Sequence, residues 1–179
     1  MALRDSYSVV MTRTAELRAA REELERRLEA RQRELGPDHP ELADDLRALG
    51  RLAHDMGDFT DAASLLERAR ALHSAALGDN HWEVATDLNH LGLVLHDAGD
   101  VEVAHAVLER ALALDEEALG TDHPNVGRDA NNLAGVLRDL GDSYGARTAL
   151  EYALGIYTRA LGEGHPTTRA VAANLAAMR

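Results

Sequence analysis

The strongest constraint on the fold of this chain is an internal repeat with a period of 42 residues. The same residue types return at this interval along most of the chain. The recurring positions are His39, His81, His123 and His165; Leu49, Leu91, Leu133 and Leu175; Gly57–Asp58, Gly99–Asp100 and Gly141–Asp142; and the Leu–Gly pairs at 35–36, 77–78, 119–120 and 161–162. Such a period predicts similar supersecondary units, each of which buries its apolar face only by stacking on its neighbours.

Each unit is predicted to contain two helices. The first begins after a His-Pro pair, as at Pro40, because proline suits the first helical position, where its missing N–H would have no partner. Its apolar residues recur with helical spacing, as do Leu46, Leu49 and Ala53. The Gly that follows is expected to end this helix, and the next Asp is expected to cap the second helix. A chain rich in Ala and Leu, with 3% aromatic residues, favours helices over sheets.

The repeat predicts an all-α fold in a single domain, in which antiparallel helix pairs stack into a solenoid. We expect three full units, a long N-terminal helix and a C-terminal capping helix, which amounts to seven or eight helices and no strand. The predicted segments are the N-terminal helix at 1–36, the units at 37–78, 79–120 and 121–162, and the capping helix at 163–179.

The first 35 residues depart from the repeat, because the expected Gly–Asp turn is missing. We predict one long helix over residues 2–35, or two helices with a soft bend. Apolar residues recur every seven positions along it, a pattern also typical of a coiled-coil seam between two copies. They are Leu3, Val10, Leu17 and Leu24. Because Thr14, Arg21 and Arg31 interrupt this seam, we favour a monomer whose N-terminal helix packs on the first unit; a homodimer through residues 2–35 is the alternative.

The pattern resembles the tetratricopeptide repeat, and within that family the kinesin-light-chain subfamily. The Leu–Gly pair of the first helix is matched by Leu49–Gly50 and Leu91–Gly92, and the small residue of the second helix by Ala62, Ala104 and Ala146. The 42-residue period and the segments LGPDHPELA, LGDNHWEVA, LGTDHPNVG and NNLAGVL are similar to this subfamily in particular. The resemblance implies a right-handed superhelix that binds a protein or peptide on a concave face lined by the first helices.

The resemblance places the binding residues beside the buried Leu residues of the first helices. The predicted peptide-binding residues are Arg47, Arg51, Asn89, His90, Asn131, Asn132, Arg138 and Asn174. An Asn side chain both donates and accepts hydrogen bonds, so it can hold the main chain of an extended peptide. We expect Asn89, Asn131 and Asn132 to be at least partly exposed. The alternative is that these amides form hydrogen bonds between stacked first helices.

The groove is predicted to be nearly neutral, although the whole chain has a net charge of −12. Its basic and acidic residues balance: Arg47, Arg51, Arg128 and Arg138 against Asp44, Asp55, Asp97 and Asp139. Beside an acidic body, such a groove favours an acidic peptide or a C-terminal carboxylate as the ligand. An ordinary surface of mixed charge is an equally good interpretation.

No catalytic residue, cofactor or metal site is predicted. The chain has no Cys, no Gly-rich phosphate loop and no HExxH motif. The repeated His residues are spread along the stack, whereas zinc needs ligands that converge on one point. We expect these His residues to make hydrogen bonds in the loops between units.

Charge and hydropathy further limit the partners and the location that the sequence predicts. The net negative charge argues against nucleic acid and against an anionic membrane as partners, and no apolar run approaches the ~20 residues of a membrane span. The N-terminus has no secretion-signal pattern, so a cytoplasmic location is expected. We predict a non-enzymatic adaptor that binds an extended peptide or a partner's helix. The alternatives are a regulatory or sensory domain that binds a small signal peptide, and a structural module that dimerises through its N-terminal helix.

Overall fold

The computed structural model describes the backbone of residues 2–178 and the side chains of residues 13–178. The described chain consists of helices joined by short turns and contains no strand, which confirms the all-α prediction. Its helices are α1 (Ala2–Leu35), α2 (Ala43–Asp55), α3 (Phe59–Leu77), α4 (Trp82–Ala98), α5 (Val101–Leu119), α6 (Pro124–Asp139), α7 (Ser143–Leu161) and α8 (Pro166–Ala177). A 3-10 turn at Pro40–Leu42 leads into α2. Within the described residues, no helix is both long enough and apolar enough to cross a membrane.

The repeated His residues start the first helices. Nδ1 of His81 accepts a hydrogen bond from the backbone N–H of Glu83 at 3.2 Å, which satisfies one of the free donors at the start of α4. The other members of the row make the same bond two residues ahead: His39, His123 and His165. The His row is therefore structural, as the sequence predicts.

The turns inside the units agree with the sequence prediction except at two of the expected Asp caps. Gly99 ends α4 with a φ of 95°, a conformation that residues with a Cβ rarely adopt. Asp142 caps α7 by accepting a 2.9 Å hydrogen bond from the backbone N–H three residues ahead. Asp58 and Asp100 were expected to cap α3 and α5, but neither makes a side-chain cap. Asp58 does not cap α3 because its carboxylate instead accepts a hydrogen bond from Arg21 of α1 at 3.3 Å.

Small residues on the first helices let the second helices approach closely. A Cβ added to Gly92 of α4 would lie 2.5 Å from Cγ of Leu108 on α5, and one added to Gly50 would lie 2.8 Å from Cγ of Leu66. The apolar core then continues between units, because Leu66 also packs in one cluster with Leu91 of the following first helix. Each unit is thus buried by its neighbours, and the core runs along the stack.

The stack is curved, and its inner side is formed by first helices. In the described residues, α2 contacts α4 and α4 contacts α6, whereas contacts between successive second helices are fewer. A stack that is tighter along one side is concave on that side. We call the inner surface formed by α2, α4, α6 and α8 the groove.

α1 is one continuous helix, and its C-terminal half takes the place of a second helix. Leu28 is buried in a cluster with residues of α2 and α3, and Arg21 donates a 2.5 Å hydrogen bond to Asp61 of α3. The side chains of Leu3 and Val10, which belong to the suggested seam, lie outside the described residues. Dimerisation through residues 2–35 therefore stays a prediction.

Candidate functional site

A cavity of about 310 Å³ lies in the groove between α4, α6 and α8. It has an apolar part and a polar part. The apolar part is lined by Leu93, Ala134, Leu150, Ala177 and Met178, and the polar part by His96, Asn131, Asn132, Arg138 and Asn174. Four of the eight residues predicted to bind a peptide are therefore brought together at this cavity.

Asn89 does not belong to the cavity, and the expectation that it is exposed was wrong. Its side chain is only 1% exposed, because it lies between the stacked helices α4 and α6. Its Nδ2 donates to Oδ1 of Asp129 at 2.7 Å, and its Oδ1 accepts from Nδ2 of Asn132 at 3.1 Å. Asn89 thus holds successive first helices together, which is the structural role considered as the alternative.

Asn131, Asn132 and Asn174 are accessible to different extents. Asn131 and Asn132 are half-buried, and Asn174 is exposed on α8. Oδ1 of Asn131 has no hydrogen-bond donor among the described residues, and its Nδ2 makes only a long 3.4 Å bond to Oδ1 of Asn132. Oδ1 of Asn131 is itself buried from solvent, so the exposed amide of Asn174 is the group that keeps hydrogen-bonding capacity a ligand can use.

Arg47 is occupied by the stack itself. Its guanidinium donates to Glu83 at 2.6 Å and to Asp44, and it lies 3.4 Å from Oδ1 of Asp87. The side chain is only 14% exposed. Arg47 therefore joins α2 to α4, and it has little capacity left for a ligand of the groove.

The same region contains a group of residues with the spacing of a metal site. Asp44, His73 and Glu83 each place a ligand atom within 4.8 Å of the others. However, Arg47 already donates to both of these carboxylates, and Nδ1 of His73 is hydrogen-bonded to Asp87 at 2.6 Å. The group is satisfied by ion pairs and does not need a metal ion.

Arg51 and His90 form a separate position in the groove, at which Arg51 carries the positive charge. Arg51 is exposed on α2 and has no carboxylate partner among the described residues. Burial, followed by the charges of Arg51 and Arg128, lowers the pKa of His90 to about 3. His90 is therefore a neutral imidazole at physiological pH, able to donate one hydrogen bond and accept another.

Pairs of His and Asp connect the first helices near their C-terminal ends. Nε2 of His54 lies 2.7 Å from Oδ2 of Asp97, and Nε2 of His96 lies 2.7 Å from Oδ2 of Asp139. The hydrogen bonds from His96 and then Arg138 lower the pKa of Asp139. Arg138 is still 62% exposed, so it remains accessible beside the cavity.

A row of buried acids, which was not predicted from the sequence, lies between the units. Asp45, Asp87 and Asp129 are each at most 3% exposed and are separated by the 42-residue period. Each of them faces a residue of the preceding helix: Asp45 faces Arg31, Asp87 faces His73, and Asp129 faces Asp115. The sequence does contain a signal for this row, since an Asp recurs every 42 residues directly before an apolar residue of the first helix.

The comparisons with known proteins agree with this geometry. A family model described as tetratricopeptide repeat matches residues 4–75, 52–117 and 83–143, and a second tetratricopeptide repeat model matches residues 130–167. A search of curated proteins finds no match.

Solved structures share the fold. A Podosopora anserina kinesin-light-chain-type protein with nearly identical TPR-like repeats is similar, with a TM-score of 0.75, 24% identity and coverage of 93% of this chain and 79% of that one. BtubC (BKLC) from P. vanneervenii gives a TM-score of 0.72 and 22% identity, over 92% of this chain and 63% of that one. The Yersinia enterocolitica type III secretion chaperone SycD, in complex with a peptide of the translocator YopD, gives 0.57 and 19%, over 75% and 90%.

Proposed function

Because the chain belongs to the tetratricopeptide repeat family, we propose that it is a non-catalytic protein-interaction scaffold that holds an extended peptide of a partner protein in its groove. The observation that carries this proposal is the cavity of about 310 Å³, where apolar side chains and the amides of Asn131, Asn132 and Asn174 line the same concave surface. The structure of SycD with a peptide of YopD supports it by analogy of fold.

The cavity offers two kinds of contact to such a peptide. Leu93, Leu150 and Met178 provide an apolar surface for one peptide side chain. The exposed amide of Asn174 can donate to a peptide carbonyl and accept from a peptide N–H. Asn131 lines the same cavity, and its buried Oδ1 reaches a peptide N–H once the side chain rotates. Main-chain contacts of this kind hold a peptide in an extended conformation and leave selectivity to the apolar pocket.

Replacing Asn131 with Ala is expected to weaken peptide binding by ~1 kcal/mol or more, since a peptide N–H would lose its acceptor. The probe is a peptide selected from a display library of random short peptides on the full-length protein, with affinity measured by isothermal titration calorimetry. Asn80→Ala is the matched control, because Asn80 is exposed in a loop outside the groove. If Asn131→Ala lowers the melting temperature and leaves the affinity unchanged, the amide is structural and the proposed binding mode is wrong.

We further propose that the peptide carries an acidic residue or its C-terminal carboxylate near Arg51 and His90. Arg51 brings a positive charge without a carboxylate partner among the described residues, and neutral His90 offers a hydrogen-bond donor beside it. A carboxylate bound here would gain a charge-assisted hydrogen bond.

Arg51→Gln is expected to reduce the affinity for a carboxylate-bearing peptide about threefold to tenfold at low salt, and less at high salt, because salt screens an exposed ion pair. Affinities of the selected peptide and of its Asp-to-Asn or amidated form, measured at two ionic strengths, test this. Arg169→Gln is the control, since Arg169 is exposed on α8 and does not line the cavity. An equal loss of affinity for the neutral peptide would contradict a carboxylate site.

A further inference from the structure

Each unit's first helix packs on the helix before it, which gives the interfaces α1–α2, α3–α4 and α5–α6. The third of these breaks the charge pattern of the first two. In those two, a buried Asp of a first helix faces a basic side chain of the helix before it. Asp45 pairs with Arg31 at 2.8 Å, and Asp87 pairs with His73 at 2.6 Å. The equivalent residues one period further along are Asp129 and Asp115, so in the α5–α6 interface a carboxyl group faces a second carboxyl group, and Arg128 contacts both.

Both carboxyl groups are completely buried. Asp115 on α5 and Asp129 on α6 are 0% exposed, and one guanidinium serves both, since Arg128 lies 3.2 Å from Asp115 and 2.8 Å from Asp129. Oδ1 of Asp115 and Oδ2 of Asp129 have no hydrogen-bond donor among the described residues. Two ionised carboxylates in this setting would be costly. A proton on one of them removes a charge and supplies the missing donor.

The other groups that face the pair do not bring a second positive charge deep into the interface. On α7, Tyr157 is largely buried, which raises its own pKa; on α4, His90 is neutral because burial lowers its pKa. His123, which precedes α6, lowers the pKa of Asp115, but its effect is the smallest of those that act on this group. Burial dominates: it raises the pKa of Asp115 and raises that of Asp129 to about 7, against the opposing charge of Arg128.

A chain of hydrogen bonds connects this pair to the groove. Nδ2 of Asn89 donates to Oδ1 of Asp129 at 2.7 Å, and Oδ1 of Asn89 accepts from Nδ2 of Asn132 at 3.1 Å. Asn132 lines the cavity. In the preceding interface the residue equivalent to Asn89 is Arg47, which brings a positive charge to within 3.4 Å of Asp87. A neutral amide at this place leaves Asp129 without that compensation.

We propose that Asp115 and Asp129 form a proton-binding site that is occupied below neutral pH and is connected through Asn89 to the cavity at Asn132. One carboxyl group keeps its proton and donates it in a hydrogen bond to the other carboxylate. Loss of that proton leaves two negative charges on the facing helices α5 and α6. The stacking of the third unit on the second then weakens, and the hydrogen bond from Asn89 to Asp129 changes in strength.

The sign of the pH dependence follows from the raised pKa. In the unfolded chain the carboxyl groups lose their protons near pH 3.8, whereas the folded pair keeps one until pH about 7. Between these values the folded state binds more protons than the unfolded state. The pair's contribution to stability therefore falls as the pH rises through this window, and the loss is complete above it.

A carboxyl ¹³C NMR titration of the full-length protein tests the proton site directly. We expect one Asp of the pair to titrate with an apparent pKa of about 7, a value that belongs to the pair rather than to one residue. The side-chain amide resonances of Asn89 and Asn132 should shift with the same midpoint, and Asp115→Asn should abolish this titration. If both carboxyl groups titrate below pH 5, the site does not exist; if only the Asn132 resonances fail to respond, the connection to the groove is wrong.

Thermal unfolding gives an independent readout. Asn at position 115 donates to Asp129 at every pH, so Asp115→Asn should raise the melting temperature by about 3 °C or more at pH 8 and by less than about 1 °C at pH 5. Asp45→Asn is the matched control: it is also a buried isosteric change, but Asp45 faces Arg27 and Arg31, so it should destabilise the protein at both pH values. An equal loss from Asp115→Asn at both pH values would overturn the proposal. No peptide is present in either measurement, so the outcome is independent of the proposed function.

Discussion

Replacing Leu91 with proline is expected to remove about 5 kcal/mol or more of the free energy of unfolding, enough to unfold most of a marginally stable domain. Leu91 lies in the middle of α4 and is 4% exposed. Proline removes one backbone hydrogen bond there and clashes with the carbonyl four residues earlier. It also withdraws a side chain that packs with Leu66 and Val94. Urea unfolding followed by far-UV circular dichroism measures the loss.

The same helix offers a control that separates proline itself from its position. Trp82 is the first residue of α4, and the equivalent positions of the two other units and of the capping helix hold Pro40, Pro124 and Pro166. Its side chain is 38% exposed. Trp82→Pro should therefore change the free energy of unfolding by less than ~1 kcal/mol. Normal folding of the Leu91→Pro variant would mean that α4 does not have these bounds.

The second large effect is expected for Asp87→Ala, at about 3–5 kcal/mol of destabilisation near pH 7. Asp87 is 0% exposed, and it accepts from His73 at 2.6 Å and lies 3.4 Å from Arg47. Removing this carboxylate leaves the buried imidazole of His73 without its 2.6 Å partner and takes one of three carboxylates away from the guanidinium of Arg47. Urea unfolding of both proteins in the same buffer gives the difference.

Asp97→Ala is the matched control for this prediction, because it lies on the same helix and also pairs with a His residue. Asp97 is exposed, and its carboxylate lies 2.7 Å from Nε2 of His54. An exposed pair contributes little, so the expected loss is below ~1 kcal/mol. Losses of equal size from the two variants would show that burial does not distinguish them, contrary to the structure.

Half of the candidate site was predictable from the sequence. Asn131, Asn132, Arg138 and Asn174 meet at one cavity, because the first three lie on the same helix and Asn174 is one period after Asn132 on the next first helix. Asn89 was not predictable in the same way. It is adjacent to His90, yet it is buried while His90 is partly exposed. Successive residues of a helix differ by 100° in direction, so the rotation of α4 about its axis decides which of them faces the groove.

The sequence alone determined the helices, their approximate ends and the glycine turns that end α4 and its equivalents, because these depend on interactions within a few residues. Nδ1 of His81 bonds the N–H two residues ahead, and the positive φ of Gly99 is a local property. The 42-residue period then required the helices to stack on one another. The tertiary structure decided which residues meet between units. Asp115 and Asp129 approach each other, and Asn89 reaches Asn132, only through the angle and spacing at which rigid helices pack, and no local pattern specifies that geometry.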